Sequence, residues 1–149
     1  MTAVDPAGMS GLELLRLAST LPEEQRPPGI GSLLGMEIEE VEEGRVVFGL
    51  RPRPEFANPL GTVHGGIPST VLDSAMACAV HTTLPAGAGY TSLELKVNFV
   101  RTIRLDEEWI RGEGTVIHVG TRTATAEGRI TDAAGRLLAH GTTTCMLFR

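Results

Sequence analysis

The sequence predicts an α+β fold in which one curved antiparallel β-sheet wraps around a long central α-helix. Three observations predict it. The only long helix-like run, about residues 66–84, is apolar and small on almost every face, and a helix apolar all round must be enclosed. Two strand-like runs precede this helix and four follow it. The last four are joined by short turns, the pattern of an antiparallel meander.

Residues 1–9 are small and polar and are expected to be disordered. Ser10, with Glu13 three residues on, reads as a capping box. Leu12, Leu14, Leu15, Leu17 and Ala18 then keep helical spacing to about Leu21, and Pro22 and Pro27-Pro28-Gly29 end the run. This short helix belongs to an accessory segment, residues 1–30, ahead of one domain over 31–149. Leu33 to Glu42 reads as the first strand, with Leu34, Met36 and Ile38 alternating with Gly35, Glu37 and Glu39. A turn at Glu42–Arg45 leads to a second strand, Arg45 to Arg51, with Val46, Phe48 and Leu50 on one face. Pro52 and Pro54 stop it, because proline donates nothing to a ladder. A loop to Thr62 feeds the helix.

After the helix, Pro85–Gly89 is a turn. Tyr90 to Arg101 is the clearest strand, with Leu93, Leu95, Val97 and Phe99 on one face and Ser92, Glu94, Lys96 and Asn98 on the other. Strands over Trp109–Val119, Arg122–Thr131 and Arg136–Phe148 follow, with turns at Gly120 and at Asp132–Gly135.

A chain of 149 residues most simply makes one domain, and a domain of this size buries roughly 70% of its unfolded surface. The net charge of -5 and pI near 5.3 argue against nucleic acid or an anionic membrane as partner. Cys78 and Cys145 lie in apolar surroundings and read as buried free thiols. No run reaches the roughly 18 apolar residues of a membrane span. The N-terminus lacks a basic stretch followed by an apolar core, so a cytoplasmic location is expected. His81, His118 and His140 share no metal-ligand spacing, and there is no nucleotide-binding loop. No Gly-x-Ser-x-Gly elbow is present. Neither a metal nor a redox cofactor is expected.

The chemistry concentrates at the helix. Gly65 and Gly66 stand at its start, where backbone N–H groups have no intrahelical partner and the helix dipole is positive. That is a natural hole for a developing oxyanion; the plainer alternative is a tight loop needing glycine for its dihedrals. Pro68 suits the first helical turn. Asp73 sits mid-helix among apolar neighbours, where aspartate has poor propensity and a buried charge is costly unless paired. An exposed or hydrogen-bonded structural carboxylate, for instance one bonded to Ser69 or Thr70, is the alternative there. Gly65 and Asp73 are eight residues apart, about 12 Å along a helix. They cannot both reach one carbonyl within one chain, so a homodimer with two equivalent interface sites is predicted.

Asn58, Gly61, Val63-His64-Gly65-Gly66 and Asp73, then Thr91-Ser92-Leu93-Glu94 opening a strand, resemble the hotdog-fold thioesterase superfamily. The likeness is to the PaaI-type acyl-CoA thioesterases of the phenylacetate pathway and their relatives acting on hydroxybenzoyl-CoA, and it covers roughly Leu33 to Phe148. The resemblance implies that Gly65 donates its N–H to the thioester carbonyl. It implies that Asp73 of the facing subunit is the nucleophile or the general base. Asn58 and His64 would shape the loop and orient water or the carbonyl, and the Ser92 hydroxyl would help hold the attacking water. Gly66 would contact the substrate, and Arg101, Arg104 and Arg122 would meet the phosphates of coenzyme A. Dimers of dimers are common in the family. Aspartate rather than glutamate at position 73 points to the PaaI-type branch. Thr102-Ile103-Arg104 departs from the proline with which many relatives continue. Aryl-acetyl, benzoyl and medium-chain acyl groups all fit this reading. The rivals are a hotdog hydratase or dehydratase pairing His64 with Asp73, and a non-catalytic acyl-CoA binding module.

Overall fold

The computed structural model describes residues 5–149. Helix α1 spans Gly11–Thr20 and α2 spans Ile30–Leu34. Strands β1 (Glu37–Glu42) and β2 (Arg45–Leu50) precede the long helix α3 (Gly66–His81). Strands β3 (Gly89–Phe99), β4 (Ile110–Val119), β5 (Thr123–Asp132) and β6 (Leu137–Phe148) follow it. The six strands form one antiparallel sheet in the order β1-β2-β4-β5-β6-β3. The expected sheet around a central helix is therefore present. No helix among the described residues is long and apolar enough to cross a membrane.

Helix α3 is seated by what the sheet lacks. Val71, Leu72, Ala75, Met76, Ala79 and Val80 are fully buried, and each large apolar side chain so buried contributes about 1.5–3 kcal/mol. Opposite them the sheet presents glycines. Gly112 faces Val71, Gly128 faces Leu72 and Met76, and a Cβ at Gly114 would lie 2.3 Å from the Ala75 backbone. The seam lets the helix axis approach closer than any side chain on those strands would permit.

Three expectations need correction. Met1–Val4 lie outside the described residues, and Asp5–Met9, expected to be disordered, are structured. Asp5 Oδ1 accepts from Ala7 N–H at 3.0 Å and starts a 3-10 turn over Pro6–Gly8. The Gly11 N–H then donates to the Leu84 carbonyl at 3.1 Å, which ties the start of α1 to the segment after α3. The capping box is present: Ser10 N–H donates to Glu13 Oε2 and Glu13 N–H donates to Ser10 Oγ.

The first strand starts at Glu37, not Leu33. Leu33 and Leu34 belong to α2, which Gly35 closes with a φ of 75°. Met36 N–H donates to Gly31 O and Gly35 N–H to Ser32 O, the doubled bond of a Schellman stop. The alternation of Leu34, Met36 and Ile38 hid a helix end.

The third correction decides the site. The pairing of β3 with β6 slips between Ser92 and Glu94: Ser92 faces Cys145, Glu94 faces Thr144, and Leu93 is the extra residue. A bulge of this kind shifts the alternation by one. Cys145 and Thr143 are buried against the helix, so Ser92 shares the inner face with Leu95, which pairs with Thr143. Ser92 and the apolar set are not on opposite faces.

Candidate functional site

The loop before α3 is held by its own polar side chains. Asn58 Oδ1 accepts from Leu60 N–H at 3.0 Å and from Thr62 N–H at 3.1 Å, while its Nδ2 donates to Thr62 Oγ1 at 2.9 Å. Gly61 takes a φ of 79° inside this turn, a conformation that favours glycine. His64 N–H donates to Phe56 O and Val63 N–H to Ile103 O. Asn58 thus builds the loop; its polar atoms are occupied there.

At the helix start the N–H groups can be accounted for one by one. Gly66 N–H donates to His64 Nδ1 at 2.9 Å. Ile67 N–H donates to His64 O, and Ser69 N–H to Gly65 O. Pro68 has no N–H. Only the Gly65 N–H has no partner among the described residues. Gly65 lines a cleft of about 420 Å³ together with Asn58, Pro68, Phe99, Arg101 and Ile103. Of the two candidate glycines, Gly65 is the free donor, and the amide of Gly66 is engaged by His64. Gly65 has φ -58° and ψ -21°, so the alternative that dihedrals require glycine does not hold. Its Cα is crowded instead: a Cβ there would stand 2.9 Å from Cζ of Phe99.

Asp73 lies two turns along, half-buried. The Ser92 hydroxyl donates to its Oδ1 at 2.7 Å, across from α3 to β3. Neither helical neighbour proposed as its partner reaches it: Ser69 Oγ donates to Gly65 O and Thr70 Oγ1 to Gly66 O. No cation pairs with Asp73 among the described residues. Beyond it the environment turns apolar. Burial pushes the Cys78 thiol up to about 11, and burial likewise raises the Tyr90 phenol, with the Asp73 charge adding to both. Both groups stay neutral beside the carboxylate at physiological pH.

Helix α3 and strand β3 run in opposite directions. Phe99 lies at Gly65 and Ser92 at Asp73. Within one chain the free amide and the carboxylate are therefore separate, each with its own neighbour on β3. Of the three arginines, only Arg101 lines the cleft at Gly65. Arg104 is taken by Asp106, with Nε donating at 2.9 Å. Arg122 sits on the β4–β5 turn, where its carbonyl accepts from Leu147 N–H, at the other end of β6 from the residue paired with Phe99. No three His, Cys, Asp or Glu side chains among the described residues converge as metal ligands. Phe99 and Tyr90 were not anticipated as neighbours of the site, and without the bulge the alternation gives no sign of where they point.

The family model described as the thioesterase superfamily matches residues 60–139, over half the chain. The chain belongs to the thioesterase superfamily. This thioesterase is 26% identical to the 1,4-dihydroxy-2-naphthoyl-CoA hydrolase of Listeria monocytogenes, over 74% of this chain and 88% of that one. A solved thioesterase family protein from Silicibacter pomeroyi superposes with a TM-score of 0.75 at 27% identity, over 81% of this chain and 90% of that one. The PaaI protein of the E. coli phenylacetic acid degradation operon superposes with a TM-score of 0.72, over 80% and 83% of the two chains. At 19% identity that last likeness concerns the fold. The architecture is the hotdog fold, and the chain is a thioester hydrolase.

Proposed function

We propose that this thioesterase hydrolyses acyl-CoA thioesters at sites shared between two copies of the chain. The observation that carries this reading is the Gly65 N–H at the start of α3, the one there without a partner among the described residues. A thioester carbonyl accepts from that N–H, and the helix dipole favours the charge that develops on its oxygen. Asp73 of the facing copy acts as general base. Ser92 ties one carboxylate oxygen and leaves the other to take a proton from water. The hydroxide adds to the carbonyl carbon, the oxyanion rests at Gly65, and the C–S bond then breaks. The departing thiolate recovers the proton from the Asp73 carboxyl. Arg101 is placed to meet a phosphate of coenzyme A. His64, with Nδ1 accepting from Gly66, pins the loop; this engagement disfavours the hydratase reading, which needs that imidazole for proton transfer.

A thiol-release assay over phenylacetyl-, benzoyl- and octanoyl-CoA tests this. Asp73→Asn is expected to keep the fold and lower kcat by about 10²–10⁴; near-normal turnover of all three esters would sink the assignment. A single turnover in ¹⁸O-water is expected to put the label in the acid product. Unlabelled acid from the first turnover would make Asp73 a nucleophile instead.

A further inference from the structure

We propose that the Phe99 ring sets how much bulk an acyl group can carry at the carbon next to the thioester carbonyl. This rests on the reading of Gly65 as the carbonyl's donor. A Cβ at position 65 would lie 2.9 Å from Cζ of Phe99 and 3.3 Å from both of its Cε atoms, well inside the contact distance of packed carbons. The backbone at Gly65 is ordinary right-handed helical, φ -58° and ψ -21°, open to any residue, and alanine would keep the same N–H. Neither conformation nor hydrogen bonding calls for glycine there. What a side chain there would meet is the tip of the exposed Phe99 ring.

Core packing does not account for Phe99 either, because it is 58% exposed near the end of the edge strand β3. Its ring stands in the cleft that holds the free Gly65 N–H. A carbonyl oxygen bonded to that N–H at about 2.9 Å brings the carbonyl carbon and its first acyl carbon against the ring. Arg101 lines the same cleft; in this proposal the phosphate-bearing arm leaves past it and the acyl side meets the phenyl edge. An unbranched first carbon, as in straight-chain or phenylacetyl esters, passes. A branch or an aromatic ring attached directly to the carbonyl does not. The substrate class narrows to acyl-CoAs with a CH₂ beside the carbonyl.

The test compares kcat/KM for butyryl-CoA and isobutyryl-CoA. The unsubstituted protein is expected to prefer butyryl-CoA. Phe99→Ala is expected to narrow that preference by about tenfold or more, the usual worth of one methyl-sized group in a pocket. Phe99→Leu, which keeps an apolar side chain on the strand edge, should fall between. Gly65→Ala is expected to lose about 10²-fold with both esters, as when one oxyanion donor is displaced. Adding Phe99→Ala to it should restore at least tenfold. An unchanged ester ratio in Phe99→Ala and Phe99→Leu overturns the proposal and leaves thioester hydrolysis standing. So does a double variant no better than Gly65→Ala, or an equal loss with both esters, which would assign the ring to the thiol arm. An unsubstituted protein that takes both esters equally also overturns it. If the unsubstituted protein releases no thiol from either ester, the functional reading fails and this one with it.

Discussion

At Asp73, one carboxylate oxygen is bound by the Ser92 hydroxyl at 2.7 Å, and no cation pairs with the group among the described residues. Asp132 shows the opposite use of the same side chain. It is buried and clamps the β5–β6 hairpin: Oδ1 accepts from Arg136 N–H and Ala134 N–H, and Oδ2 from Arg136 Nε. The backbone bond from Arg136 lowers its pKa most, with the guanidinium adding to the effect. A lowered folded value means that the carboxylate stabilises the fold at pH above the ordinary aspartate range. That contribution is lost as pH falls through the depressed value. Asp132→Asn is therefore expected to lower Tm at pH 7, and the deficit to shrink as pH falls below the ordinary aspartate range, by calorimetry. The sequence made Asp73 legible, because a carboxylate in an apolar helix is visible from spacing alone. Its partner was not. Spacing reveals neighbours one turn away, Ser69 and Thr70, while Ser92 arrives from another element through tertiary packing.

At the scale of the element, α3 and the meander were legible because their periods are local properties. Two departures had local causes that the apolar pattern concealed. The Gly35 stop turned an apparent strand start into α2. The Leu93 bulge broke an alternation that looks continuous, because Leu93, Leu95, Val97 and Phe99 are all apolar. Strand β3 tolerates this since it lies at the sheet edge, where Leu93 is 52% exposed and Leu95 37%. The glycine seam beneath α3 was equally silent: glycine in a strand is read as weakness, and here it makes room. Gly114→Ala puts a carbon 2.3 Å from the Ala75 backbone, which must move because it is not a flexible side-chain tip. Overpacking of this kind costs about 1–3 kcal/mol or more. At roughly 2–4 °C per kcal/mol for a domain this size, a fall in Tm of about 2–12 °C is expected by thermal melting. Gly8→Ala, which meets nothing within 4 Å, is the control and should leave Tm within about 2 °C, a surface-sized effect.

For the whole molecule, the helical rise made the quaternary prediction available before any coordinates. About 12 Å separates Gly65 from Asp73 along α3, and the two contact different residues of β3. The edge position of β3 and the exposure of Leu95 and Val100 fit the proposed second copy as its neighbour. Sharing can be measured by complementation. On the proposed sharing, Asp73→Asn and Gly65→Ala each disable both sites of their own homodimer. A mixed dimer regains one intact site, from Gly65 of one chain and Asp73 of the other. Refolding the two variants together in equal amounts should recover about a quarter of the unsubstituted activity, since about half the dimers are mixed and each has one working site of two. Activity no higher than the mean of the two separate variants would place both residues in one chain's site. The bulge at Leu93 also governs how this chain should be compared with others. Beside a homologue whose strand runs straight, Ser92 and Phe99 fall on either side of a one-residue gap. An ungapped alignment that numbers the phenyl ring correctly assigns the hydroxyl to the wrong column.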